Sequence, residues 1–232
     1  MFERIKKAFS FGAREPGESV APSSQLARGP VSEWAATRGF GFSVDDDGQT
    51  VSLQGKVQGR PWRLQLGNAS RAYIQGAELR ARAELGVHDD VSVLVINRPL
   101  KDALEKQAFA MYTDSLQTVV DSRMPEEMRW LAMFDEVGWE GLPKPFWTRY
   151  AVLSDKRDYA VEWIDNKLAQ QMLEWPSPGP GEDVPFLILM LRGKAYLRME
   201  YSPATMPTLE HASRIFTTAC EAALTSLPPQ PP

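Results

Sequence analysis

Few residues in this chain are suited to making or breaking bonds, and their spacing limits what they can do. There are two histidines, His88 and His211, and one cysteine, Cys220. His88 stands in His88-Asp89-Asp90, a cluster with the makings of a base–carboxylate pair or part of a metal site. The same three residues also form an ordinary polar turn ahead of a strand. A two-histidine zinc site requires His88, His211 and a carboxylate to converge, and no spacing here enforces that. Cys220 shares a helical stripe with Leu209, Phe216, Ala223 and Leu224. It therefore reads as a small buried hydrophobe, not as a partnered, partly exposed thiolate. His211 falls on the opposite side of that helix.

Asp45-Asp46-Asp47-Gly48 has the composition of part of a calcium loop, but Lys56 stands where the bidentate acid should be. Asp-Gly between strand-like segments is a hairpin turn instead. Arg60, Arg63, Arg71, Arg80 and Arg82 are placed to share a sheet face. Left uncompensated, such a face binds phosphate or nucleic acid. Glu78 and Glu84 share the face of Arg80 and Arg82, which points to cross-strand ion pairing on a solvated face. Glu126, Glu127, Asp135, Glu136 and Glu140 would act as acid and base only if two of them met in a dry pocket; solvated helix charge is the simpler reading. The chain contains no Walker loop, G-x-G-x-x-G, H-E-x-x-H or G-x-S-x-G. It implies no cofactor and no metal.

Contact chemistry is better represented. Phe2, Ile5 and Phe9 fall on one helical side, with Arg4, Lys6 and Lys7 largely off it. This is the pattern of a short basic docking helix for a partner groove or an anionic membrane surface. Trp139 and Trp147, two of seven tryptophans, flank Glu140-Gly-Leu-Pro-Lys-Pro-Phe146. That stiff aromatic connection either presents a partner-binding patch or is fixed to the core by its rings.

The elements that must position these groups follow from periodicity. Ser32 starts a short helix through Arg38, with Trp34 inward. Val51, Leu53 and Val57 form one strand face; Gln58-Gly59 turns; Trp62, Leu64 and Leu66 return. Leu79, Ala81, Ala83 and Leu85 alternate with charges, as in a sheet with one wet face. Val91 to Ile96 is apolar on both sides and reads as a central strand. Pro99 opens a helix to about Tyr112, and Pro125 opens another carrying Met128, Trp130, Leu131, Met133, Phe134 and Val137. Phe146 to Leu153 reads as a strand, followed by one long helix capped by Ser154 or Asp155 and striped by Ala160, Ile164, Leu168 and Met172. Phe186–Leu191 and Ala195–Tyr201 form a hairpin over Gly193-Lys194, and Pro207 opens the last helix. The expected fold is α+β: antiparallel hairpins and a central buried strand packed by about four helices.

Proline placement divides the chain. Residues 1–12 are the amphipathic basic helix and 13–30 a flexible linker. Residues 31–227 are the α+β region, divisible into 31–122 and 123–227, and 228–232 are an unpacked Pro-rich tail. With 232 residues, 43% hydrophobic and 24% charged, the chain can bury a core. Its net charge of −4 argues against a general nucleic-acid binder. No apolar run nears the ~20 residues of a membrane span, and MFERIKKAFSFG has no apolar h-region. With a single thiol, this points to a soluble protein of the cytoplasm.

The leading reading is a non-catalytic adaptor or accessory protein that binds a protein partner. Phe2, Ile5, Lys6, Lys7 and Phe9 supply a docking contact, and Trp139 and Trp147 a second one. The competing readings are a hydrolase using carboxylates and His88, and a weak nucleic-acid or phosphate binder using the arginine face.

Overall fold

The computed structural model describes residues 28–114 and 126–231, with the backbone alone for 111–114. The expected docking residues Phe2, Ile5, Lys6, Lys7 and Phe9, and the linker to residue 27, lie outside the described residues. The described residues form seven helices and one nine-stranded antiparallel sheet, an α+β fold with a buried strand core.

In chain order the elements are α1 (Arg28–Arg38), β1 (Gly41–Val44), β2 (Val51–Val57), β3 (Arg60–Asn68), β4 (Ala77–Glu84), β5 (Ser92–Asn97) and α2 (Arg98–Asp114). Then come α3 (Glu126–Met133), β6 (Asp135–Val137), α4 (Lys144–Arg149), β7 (Tyr150–Ser154), α5 (Arg157–Trp163) and α6 (Asn166–Leu173). The chain ends with β8 (Phe186–Leu191), β9 (Lys194–Glu200) and α7 (Met206–Ser226). The strand order is β1-β2-β3-β4-β9-β8-β5-β7-β6, so residues 31–122 and 123–227 contribute to the same sheet.

The two tight hairpins follow their turn chemistry. Gln58 and Gly59 have φ of 46° and 81°, and Arg192 and Gly193 have 49° and 72°. Both central residues are left-handed in each turn, as a two-residue hairpin with the strands' own twist requires. Val51, Leu53, Val57, Trp62, Leu64 and Leu66 are buried on one face, as alternation predicts. Asp47-Gly48 turns between β1 and β2, and Asp45 Oδ1 accepts from Thr50 N at 2.8 Å.

One sheet face is sealed along its length. Val31, Phe146, Trp163, Leu168 and Phe216, from α1, α4, α5, α6 and α7, join Leu53, Leu64, Leu79, Val95 and Leu197 in a continuous core. Trp163 Nε1 donates to Ala219 O at 2.9 Å and ties α5 to α7. The other face is sealed only in part. There Leu94, Ile96, Ala151, Leu153, Leu187 and Leu189, from β5, β7 and β8, pack under Leu100, Leu104 and Met128 of α2 and α3. β5 is therefore buried on both faces, as its unbroken apolar run predicts. Over β2, β3 and β4 this second face carries Ser52, Gln54, Lys56, Arg63, Gln65, Arg80 and Arg82, all exposed or half buried.

Several expected elements differ. Residues 146–149 are helical and only Tyr150 onward is strand: Pro143 and Pro145 fix φ for a first helical turn, and that turn places Phe146 inward. The single long helix is two, α5 and α6, because Asp165 caps the second by accepting from Leu168 N at 2.7 Å. Ala160, Ile164, Leu168 and Met172 are buried all the same. Ser154 caps nothing; its Oγ donates to Ser92 O at 2.8 Å. The helix after Pro125 ends at Met133, and Asp135–Val137 pairs with β7 as an edge strand. Met133 is left 66% exposed. The chain end is not unpacked through Gln230: His88 N donates to Pro228 O, and Gln230 N to Gly86 O, each at 2.8 Å.

Candidate functional site

The partly sealed face holds the site. Cross-strand register sets its composition row by row. One row runs Arg63 (β3), Arg82 (β4), Tyr196 (β9), Leu189 (β8) and Leu94 (β5). The next runs Gln65, Arg80, Arg198, Leu187 and Ile96. Each row therefore passes from guanidinium to leucine within a few strands, about 4.8 Å apart. α3 forms a wall above the transition. The resulting groove has a volume of about 930 Å3 and is lined by seven cationic side chains (Arg63, Arg80, Arg82, Arg129, Arg192, Lys194, Arg198) and three carboxylates (Glu84, Glu126, Glu127). The excess of cations opposes the chain's overall negative charge.

Like charges directly opposite on adjacent strands are destabilising, yet Arg63 faces Arg82 and Arg80 faces Arg198. One member of each pair is compensated. Arg82 Nη2 donates to Glu84 Oε1 at 2.6 Å and lies 6.0 Å from the Tyr196 ring centroid. This bond, followed by the Lys194 charge, holds the Glu84 carboxyl below its usual range. Arg198 donates to Glu127 Oε1 at 2.8 Å and lies 3.0 Å from Glu78 Oε1. The other members are not compensated. Among the described residues Arg80 meets only the Gln65 amide oxygen, at 3.2 Å, and Arg63 meets no carboxylate.

Glu127 fixes the wall. It is 1% exposed, and its Oε1 accepts from Arg71 Nε at 2.7 Å, Tyr73 Oη at 3.0 Å and Arg198 Nη1 at 2.8 Å. Burial first, then the Glu127 charge, push the Tyr73 phenol far up, so it stays a donor. Burial works to lower the Arg71 pKa, but the Glu127 bond and charge leave it raised. Glu78 is buried as well and accepts from Ser70 N. It therefore does not neutralise Arg80 in the way its place on the same face suggests.

Of the five arginines singled out in sequence, Arg63, Arg80 and Arg82 share this face. Arg60 has the parity of Trp62 and Leu64 and so belongs to the other face, and Arg71 leaves the strands to hold Glu127. Arg129, Arg192, Arg198 and Trp130 come from distant segments and carry no sequence signal that unites them.

The remaining candidates lie elsewhere. His88 sits in a turn, where its Nδ1 accepts from Asp90 N at 3.2 Å; neither it, Trp139 nor Trp147 lines the groove. Trp139 and Trp147 are half buried and stack edge to face, with centroids 5.0 Å apart. His211, expected to face away from the core, is buried: Nε2 donates to Gln171 O at 2.7 Å, and burial lowers its pKa. Cys220 is fully buried, and burial pushes its thiol far up. Glu136 is paired with Arg98 at 3.0 Å and Lys101 at 3.2 Å. Among the described residues no His, Cys, Asp and Glu side chains cluster as a metal site, and no helix is long and apolar enough to cross a membrane.

No family model matches the sequence, and no curated protein matches it. Among solved structures the chain is similar to the crystal structure of the mycobacterial trehalose monomycolate transport factor A, TtfA. The TM-score is 0.46 at 12% identity, over 87% of this chain and 96% of that one. A likeness of that degree carries no argument about activity or ligand.

Proposed function

We propose that the protein is a non-catalytic accessory module that binds a protein partner through the open half of its sheet. The observation that carries this reading is the placement of Arg63 and Arg80: two guanidinium groups on neighbouring strands, without a carboxylate partner among the described residues, in a groove of about 930 Å3. Arginine stays protonated at any working pH, so it serves binding and not proton transfer. In this reading Phe2, Ile5 and Phe9 bring burial, and Lys6 and Lys7 charge, to a second, weaker contact. On the linker, which ends at residue 27 because Arg28–Pro30 already belong to α1, that contact raises avidity. The half-buried Trp139–Trp147 pair offers a further contact for the same partner.

The test is capture from the native host by the immobilised full chain, by a chain lacking residues 1–12, and by the double variant Arg63→Glu/Arg80→Glu. A partner held by the full chain, weakened by the truncation and lost with the double variant supports the reading. Equal capture by all three refutes it.

A further inference from the structure

The groove's charge and spacing also describe its occupant. Resting on the reading above, we infer that the partner presents an extended acidic segment, with carboxylates two residues apart beside a bulky apolar residue. Arg80 and Arg82 are two residues apart on β4 and point to the same face, which sets their origins about 6.7 Å apart. An extended peptide repeats its same-side side chains at that interval, so one acid of an acid-x-acid pair meets Arg80 while the other meets the Arg63–Arg82 pair, where Arg63 supplies the charge that Glu84 does not already compensate. Arg63, directly opposite Arg82, adds a guanidinium about 5 Å away across the strands. All three are arginines, whose planar forks donate bidentately to carboxylates.

The apolar part follows from the leucine end of the rows. Trp130 and Leu191 are half buried and Met133 is 66% exposed, all along the groove. They give an anchor to one large side chain. Glu84 and Glu126 stand on the groove's rim and repel a long polyanion such as single-stranded nucleic acid, while leaving room for a short acidic segment. Residues 1–12 of the chain itself, with Arg4, Lys6 and Lys7 against Glu3, carry the wrong sign to fill it.

The experiment uses the full chain and the anisotropy of a fluorescein-labelled peptide in which Asp-Ser-Asp adjoins Leu-Trp. Saturable binding is expected. It weakens by at least about tenfold when the peptide's Asp residues become Asn, and equally in Arg63→Ala and Arg80→Ala, each losing a charged hydrogen bond. Replacing Leu-Trp by Ser-Ser weakens it further. Melting curves of the two variants that match the parent assign the loss to contact, not to folding. Binding indifferent to the Asn replacement, or tighter binding of oligothymidylate or of phosphatidylglycerol vesicles, overturns the inference. A peptide that fails to bind, while Arg63→Glu/Arg80→Glu still abolishes partner capture, sinks the acidic-segment inference alone. Capture untouched by that double variant sinks the accessory reading itself.

Discussion

The two halves of one sheet face have opposite fates. Over β5, β7 and β8 the side chains are leucine, isoleucine and alanine, and α2 and α3 cover them. Over β3 and β4 the same face carries arginine and glutamine, and among the described residues no helix packs down on it. Backbone pairing is continuous across both halves, so hydrogen bonding does not distinguish them. What differs is the residue at every second position, and it decides where a helix can dock. The apolar half is committed to stability. The arginine half has ion pairs for Arg82 and Arg198 but none for Arg63 or Arg80 among the described residues, and Arg63 opposite Arg82 costs stability. Under the proposed function, contact with a partner offsets that cost.

Substitutions widen this contrast. On the sealed side of the sheet, Phe216→Ala removes a fully buried ring and is expected to cost about 3–5 kcal/mol in urea unfolding. A loss below 1 kcal/mol would mean that the core around α7 relaxes freely. At the boundary between the halves, Glu127→Gln removes the charge that holds Arg71 and Arg198. Breaking a fully buried pair costs about 3–5 kcal/mol. Here both arginines keep some contact with water, at 26% and 19% exposure, so about 2 kcal/mol is expected. The same variant should loosen α3, read as faster amide exchange in 126–133 than in β5.

The sealed side also contains a titrating group. Burial depresses the His211 pKa below 6.5, so below that value the unfolded chain binds the extra proton and the folded chain resists it. His211's contribution is whole above pH 6.5 and declines as the pH falls toward its folded pKa. Unfolding free energies measured from pH 7.5 to 5.5 should fall for the parent and fall less for His211→Gln. Identical slopes would remove His211 from the account.

These contrasts also mark what the sequence made legible. Alternation in Val51–Leu66 and the apolar run at Val91–Ile96 placed the hairpin and the doubly buried strand, because one-sided and two-sided burial leave different periods. The same rule misassigned Phe146–Arg149: a short apolar stretch fits either period, and the deciding influence was the pair of prolines before it. Asp165 breaks a helix whose buried stripe continues through the break, so periodicity carried no mark of it. For the groove, the parity of Arg63, Arg80 and Arg82 was readable. Their compensation was not. Glu78 shares their parity, but its partner Arg198 is brought in by the pairing of β4 with β9, more than a hundred residues apart in the chain, and Ser70 N by the connection from β3 to β4.

The finest comparison is between stability and binding at one residue. Arg63→Glu replaces a repulsive pair with an attractive one opposite Arg82. Such a swap should leave the fold unchanged or stabilise it by about 0.2–1 kcal/mol. The same substitution removes a cation from the groove, so partner capture should fall while the melting temperature holds or rises. Stability and contact then move in opposite directions, as at positions retained for function. If Arg63→Glu instead lowers the melting temperature, Arg63 has a structural role, and the open half of the sheet belongs to the stability of the fold as the sealed half does.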